Sequence, residues 1–342
     1  DSNGDILPYV NIYIKDSYRG TTSNAEGQYE IDISKAGEYA ITFQFLGFKT
    51  QTQNIKIVRF PYTLNVIMED ENINLKEVII DSKENPANRI IRMAIEKREI
   101  YLEKLNAYTA DFYSKGFIRI KNAPEKFMGQ EIGDFEGALD STRSGYIYLS
   151  ETLSKIKYIK PEIFETVTAS KVSGDSNGIS FNSAMDVDFN LYNNSVEINN
   201  DIISPISDYA FNYYNYRLEG EYYDNEGHLI NKINLLPKRE NDRVFSGSIY
   251  IVEDSWALYG VDIAVRGTQA QILPADTIKI RQSLSFNKEL NHWFVRSQTI
   301  DFGYSLFGFK GDGSFIANYT NYDFNPKLLS NKNKNEILIF EK

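Results

Sequence analysis

Apolar residues recur at every second position along most of this chain, and that period constrains the fold more than any other feature. Val10, Ile12 and Ile14 alternate with Asn11, Tyr13 and Lys15. Successive strand side chains point to opposite faces, so the pattern predicts a half-buried strand. The same reading covers Tyr29, Ile31 and Ile33, the run from Tyr39 to Phe45, and the set Leu64, Val66 and Met68. Turn-forming stretches separate these runs, among them Arg19-Gly20-Thr21-Thr22 and Asn24-Ala25-Glu26-Gly27. Closely spaced strands with no helical period between them predict a small antiparallel sandwich.

The period changes once. Asn85 stands where a helix N-cap belongs, with Pro86 at the first helical position. Ile90, Ile91, Ala94, Ile95, Leu102 and Leu105 then recur at helical spacing, with Arg89, Arg92, Glu96, Lys97 and Glu99 left for the wet side. This predicts an amphipathic helix of about 20 residues packed on a sheet. Strands resume over 108–120, 146–149, 155–160 and 165–169, with a long Gly-containing loop over 121–143 and a short helix over 207–214. From Tyr216 the chain reads as a meander with strands at 216–223, 228–237, 244–252, 256–265, 277–287, 293–303 and 315–324. A helix feeding so many antiparallel strands predicts a curved sheet or half-barrel wrapped partly around it. A closed small barrel is the alternative.

Composition excludes several function classes. The 24 Tyr and 21 Phe suit pleated, half-buried surfaces. The absence of cysteine removes disulfides, thiolate nucleophiles and Cys-ligated metal sites. His228 and His292 are the whole histidine complement and leave little for a His-rich metal site. No apolar run is long enough for a membrane-spanning helix. A net charge of −10 disfavours a nucleic-acid partner. Phosphate-binding, dinucleotide-binding, zinc-protease and nucleophile-elbow motifs are all missing, so no cofactor and no catalytic residue is expected.

The polar clusters read mostly as turns. Asp1-Ser2-Asn3-Gly4-Asp5 imitates the start of a calcium loop, but Ile6 and Ile12 occupy the positions that need Gly and Glu. Asp175-Ser176-Asn177-Gly178 and Asp224-Asn225-Glu226-Gly227 have turn composition, and His228 after the latter reads as solvated. Asp186 and Asp188, two apart, share a face if they lie on a strand. Asp134, Glu136 and Asp140 sit in the 121–143 loop, where a carboxylate pair could work on a glycoside.

The aromatic surplus carries the most functional weight. By alternation Tyr216, Leu218, Gly220 and Tyr222 share one strand face, as do Trp256 and Leu258, and Ile278, Ile280, Leu284 and Phe286. They either fill a core or leave an open apolar groove for an acyl chain or apolar peptide. The candidate groove is therefore Tyr216, Leu218, Tyr222, Trp256, Leu258, Ile280 and Phe286.

The strings Leu7-Pro8-Tyr9-Val10-Asn11-Ile12-Tyr13, Arg19-Gly20-Thr21-Thr22, Glu26-Gly27-Gln28-Tyr29 and Phe45-Leu46-Gly47-Phe48 resemble the carboxypeptidase-regulatory-like domain. The resemblance implies a transthyretin-like β-sandwich without peptidase activity. Leu75-Lys76-Glu77-Val78-Ile79-Ile80 resembles the segment that follows it. Asn85-Pro86-Ala87, Ala94-Ile95-Glu96-Lys97-Arg98, Tyr113-Ser114-Lys115, Ile203-Ser204-Pro205, Pro237-Lys238-Arg239 and Phe245-Ser246-Gly247-Ser248 are similar to a Bacteroidota family of unknown function. That family joins the regulatory-like domain to this region and then to an outer-membrane β-barrel, which would begin near Lys342. A fainter similarity links the strand order around Trp256 to the half-barrels of lipoprotein carriers. Asp140-Ser141-Thr142 and Asp276-Thr277-Ile278 resemble short O-glycosylation sites, which would place Ser141 and Thr277 on exposed loops.

The expected architecture is mainly β, with a sandwich over 1–80 and an α+β unit of helix and curved sheet over 84–342. The resemblances imply a periplasmic, outer-membrane-associated location and an outer-membrane β-barrel or envelope protein as partner. The expected role is a non-catalytic module that binds or hands over lipid, lipoprotein or apolar peptide. A docking scaffold without a small ligand is the second reading, and an enzyme acting on glycans or peptides the third.

Overall fold

The computed structural model describes residues 1–71 apart from 16, 18 and 25, together with 85–135, 137–174 and 181–325. Leu75–Ile80, Asp175–Gly178, Glu136 and Lys342 lie outside the described residues.

Four antiparallel strands, β1 (Asn11–Ile14), β2 (Gly20–Thr22), β3 (Gly37–Gln44) and β4 (Gln51–Ile57), form the first sheet in the order β2-β1-β3-β4. Val10, Ile12, Ile41, Phe43 and Met68 make its buried core. The stretches 29–33 and 64–68 differ from the strands expected of them. They carry no ladder, yet they lay Tyr29, Ile33, Leu64 and Val66 against that core. Alternation marks a half-buried chain, and only a partner at the right spacing turns such a chain into a ladder.

Helix α1 (Pro86–Lys104) begins where the sequence predicts. Asn85 Oδ1 accepts from the Ala87 amide at 3.0 Å, and Asn85 Nδ2 donates to the Tyr216 carbonyl at 2.9 Å. One side chain thus caps the helix and pins it to the sheet. The helix buries Ala87, Ile90, Ile91, Ala94 and Arg98. Arg98 is tied by Asn194 at 2.5 Å and Asp208 at 2.8 Å.

The remaining long strands are β5 (Ala107–Lys121), β8 (Gly145–Ile159), β9 (Glu162–Gly174), β12 (Tyr214–Tyr223), β13 (Leu229–Pro237), β14 (Ser246–Val252), β15 (Leu258–Arg266), β16 (Ala275–Asn287), β17 (His292–Leu306) and β18 (Phe309–Asp323). Two small hairpins, β6 (Lys126–Phe127) with β7 (Gln130–Glu131) and β10 (Ser195–Ile198) with β11 (Asn200–Ile203), lie between them. The ten long strands make one antiparallel sheet, β12-β13-β14-β15-β16-β17-β18-β5-β8-β9. It runs as a meander to β18, which returns beside β5. The two strands expected over 146–160 are one, β8, and the helix expected over 207–214 is a single 3-10 turn, Ala210–Asn212. Six ladders carry register shifts, which bend the sheet. Among the described residues the edges β12 and β9 do not pair, so the sheet they form is open and not the closed barrel given as the alternative.

The inner face packs on α1 through one large apolar cluster. The segment 181–213 crosses that face and buries Phe181, Val187, Phe189 and Leu191 in the same cluster. Gln282 Nε2 donates to the Phe189 carbonyl at 2.8 Å and Gln298 Nε2 to that of Val187 at 3.1 Å. The first unit sits on the outer face. Gln44 Nε2 donates to the Tyr259 hydroxyl at 3.3 Å, and Asn318 Nδ2 to Thr22 Oγ1 at 2.7 Å.

Candidate functional site

The seven groove candidates do not share a face. Tyr216, Trp256, Leu258 and Ile280 belong to the inner cluster, and Leu218 packs on it. Tyr222 is buried in a second cluster on the outer face, against which Phe286 packs. The split falls at two register shifts. A register shift between Leu218 and Gly220 turns Tyr222 to the opposite side from Tyr216. On β16, Ile280 belongs to the inner cluster and Leu284 and Phe286 to the outer one, and the change falls beside the point where β17 carries Arg296 as an extra residue opposite Ser283 and Leu284. One extra residue in one strand inverts every side chain beyond it. The inner candidates are committed to packing. Tyr216 donates its hydroxyl to the Pro205 carbonyl at 2.8 Å, and burial pushes its phenol up. The Arg89 guanidinium lies 5.1 Å from the Trp256 ring centre.

Of the two outer candidates, Phe286 borders a cavity of about 420 Å3 between the first unit and the large sheet, where Tyr13, Gln44, Tyr259, Trp293 and Arg296 also converge, and Tyr222 does not line it. Arg296, 5% exposed, places its guanidinium 4.6 Å from the Tyr13 ring centre and 5.7 Å from that of Phe294. Burial raises the Tyr13 phenol to about 12, with Arg296 acting in the opposite direction. His228 is not solvated as expected. Its Nδ1 lies 2.9 Å from Asp224 Oδ2, and its ring meets Phe286 and Trp293 edge-on at 5.1 and 5.3 Å. This wall mixes charge with aromatic surface and is unlike the purely apolar groove expected.

The polar candidates resolve into local structure. Asp186 and Asp188 are not on a strand. Asp186 closes a turn, accepting from the Ser183 amide at 3.1 Å and donating its own amide to Ser183 Oγ at 3.2 Å. Asp140 Oδ1 takes the Thr142 hydroxyl and the Thr142 and Ser144 amides. Those bonds, the Thr142 hydroxyl first, hold its carboxyl low and spend it on the turn. Asp1 Oδ1 likewise caps the amides of Asn3 and Asp5. Ser141 is exposed in its turn. Thr277 is not on a loop: it lies in β16, paired with Arg266 on one side and Gly303 on the other.

The most open surface is the wing formed by β8 and β9, which the sequence reading did not single out. Filling of the inner face reaches β8, where Tyr148 and Ile156 join the core, and thins out at β9. Leu149, Leu153 and Phe164 are 45, 49 and 49% exposed, and Val167 and Val172 are 37 and 45% exposed. Register sets Phe164 opposite Lys157, on the same face as Leu149 and Leu153, whereas Val167 and Val172 oppose Ser154 and Ser150 on the other. Beyond β9 no further strand pairs among the described residues. The available signal was the polar and β-branched text of β9, Thr166-Val167-Thr168-Ala169-Ser170, which belongs to a wet edge.

Residues 90–322 match a family described as a family of unknown function, DUF5686, and residues 1–80 match a CarboxypepD_reg-like domain. The TonB-dependent receptor P3 of Formosa agariphila is 33% identical over 78 residues, which make 23% of this chain and 7% of the receptor. The match thus spans a small fraction of that relative. Among solved structures, a putative outer membrane lipoprotein-sorting protein domain from Vibrio parahaemolyticus shows 12% identity and a TM-score of 0.28, over 72% of this chain and 96% of that one. A DUF1329 family protein from Desulfovibrio piger shows 12% identity and a TM-score of 0.27, over 72% and 95%. A LolA superfamily protein from Nitrosomonas europaea shows 9% identity and a TM-score of 0.24, over 69% and 92%. Scores this low do not assign a fold.

Proposed function

The chain belongs to the DUF5686 family, and from that premise we propose that it is a non-catalytic docking module of an outer-membrane-associated protein, working in the periplasm. The CarboxypepD_reg-like match and the likeness to a TonB-dependent receptor support the envelope setting. The observation that carries the docking role is the β8–β9 wing. A 13-residue edge strand exposes apolar side chains on both faces beside a sheet whose inner side is already filled by α1 and 181–213. The occupant is an extended segment of an envelope protein, added along β9 as a further strand. Main-chain hydrogen bonds would supply affinity there. Leu153 and Phe164 on one face, and Val167 and Val172 on the other, would select the side chains. The filled inner face favours this scaffold reading over a lipid-enclosing carrier.

A photoreactive benzoylphenylalanine at Phe164 or Val172, in the full-length protein in its own cells, tests this. One envelope protein should crosslink at both positions and not at Tyr223 on the far edge. The same partner, added to the purified chain, should slow amide exchange across 162–174. Equal crosslinking at Tyr223, or unchanged exchange in β9, would sink the proposal. Co-purified lipid released on denaturation, with no protein crosslink, would restore the carrier reading.

A further inference from the structure

Two hairpin apices meet at one end of the large sheet. The β17–β18 turn is Phe307-Gly308, and the β6–β7 turn within the β5–β8 connection is Met128-Gly129. Because β18 pairs with β5 from Lys310↔Lys121 onward, both connections emerge on the same side. Phe127 touches them together, with its ring centre 5.9 Å from Phe307 and 5.9 Å from Phe309. Met128 is 89% exposed and Phe307 72%. Singly exposed apolar residues are ordinary, but two at the summit of one aromatic cluster are not.

The backbone makes this more pointed. Each turn is a two-residue loop with φ positive at both positions: 51° and 84° at Met128-Gly129, and 50° and 88° at Phe307-Gly308. Turns of this shape favour Asn or Asp before the Gly, and bulky side chains resist a left-handed backbone. At both apices a large apolar residue stands where turn chemistry asks for a small polar one. Local stability does not select Met and Phe there.

We propose that this tip inserts into a phospholipid surface, with Met128 and Phe307 entering the acyl boundary. The inference rests on the envelope setting proposed above. The shape argues for lipid over a protein pocket. The side chains project from turn apices, neither described cavity includes them, and a fluid layer accommodates protrusions of any outline. Flexible, polarisable Met suits such a medium. Exposed Lys126 and Lys310 adjoin the apolar cluster in sequence, where long cationic side chains can keep their ammonium groups at lipid phosphates while their stems cover apolar surface.

Sedimentation of the purified chain with vesicles of phosphatidylethanolamine and phosphatidylglycerol tests the proposal, using the variants Met128→Asn and Phe307→Asn together. The wild type should bind, and the double variant should bind about tenfold more weakly or worse, because two apolar side chains no longer leave water. Its melting temperature should hold or rise, since Asn-Gly suits the turn. Leu273→Ser, which removes an apolar residue 74% exposed elsewhere, should bind like the wild type. Three outcomes would overturn the proposal: no wild-type binding, unchanged binding of the double variant, or an equal loss with Leu273→Ser. If the double variant instead loses the β9 crosslink while vesicle binding persists, the tip serves a protein and the lipid proposal fails. Vesicle binding without the β9 crosslink leaves the tip standing and removes the docking reading.

Discussion

Arg296 of β17 lies with its guanidinium 4.6 Å from the ring centre of Tyr13 in β1, a cation over an aromatic face that joins the first unit to the outer side of the large sheet. Arg296 is buried and Tyr13 half-buried, a setting between exposed and desolvated in which such contacts are worth about 1–2 kcal/mol. A double-mutant cycle of Arg296→Ala and Tyr13→Leu, read by denaturant unfolding, should show a coupling of about 1–2 kcal/mol. The first unit should also unfold ahead of the sheet in either variant. Strictly additive single effects would mean that Gln44–Tyr259 and Thr22–Asn318 carry the join instead.

Asn85 serves two elements at once, so its substitutions should separate. Asn85→Asp keeps the acceptor for the Ala87 amide and loses the donor to the Tyr216 carbonyl. Asn85→Ala loses both. The alanine variant should cost about 1–2 kcal/mol and the aspartate variant about half that. Equal losses by thermal unfolding would show that the cap bond contributes nothing beyond the pin to β12.

Phe315 lies across the β18–β5 ladder from Gly116, and a Cβ at Gly116 would sit 2.1 Å from its ring. Phe315 is 1% exposed and cannot swing out freely. Gly116→Ala should therefore destabilise by about 1–3 kcal/mol. Adding Phe315→Leu should cost less on that background than on the wild type, because the clash is already relieved. A plain sum of the two losses would count against close approach as the reason for glycine.

His292 is buried beside the Tyr101 ring and Lys104, and burial, aided by the Lys104 charge, lowers its imidazole to about 4. The unfolded chain protonates this histidine near pH 6.5. Between those values the unfolded state binds a proton that the folded state refuses. Stability is therefore full above about pH 6.5 and falls as pH drops towards 4, by up to about 3 kcal/mol. Urea unfolding at pH 7, 5.5 and 4.5 should show that loss in the wild type and a flatter profile in His292→Gln. Parallel profiles would assign the acid sensitivity to other groups.

Much of the local structure was legible without coordinates. The helix start at Asn85-Pro86 follows from residues adjacent in sequence, as do its buried stripe Ile90, Ile91 and Ala94 and the meander from Tyr216. Each rests on a period or a cap, which a short window of residues contains in full. The candidate groove was not legible. Alternation placed Tyr216 with Tyr222, and Ile280 with Phe286, on single faces. The bulge at Leu218/Gly220 sends Tyr222 to the other side, and Phe286 parts from Ile280 beside the register shift where β17 carries Arg296 as an extra residue.

A bulge is a count of two residues against one on a neighbouring strand, so it exists only once that neighbour is in place. The same holds for the filling of the inner face by 181–213, for the bare wing at β9, and for the meeting of Phe127 with Phe307 from hairpins far apart in the chain. The sequence by itself determined which stretches become strands or helix, because side-chain period and capping act over a few neighbouring residues. Tertiary structure alone decided which faces are spent on the core and which remain open, because that depends on strand pairing and packing between residues remote in sequence.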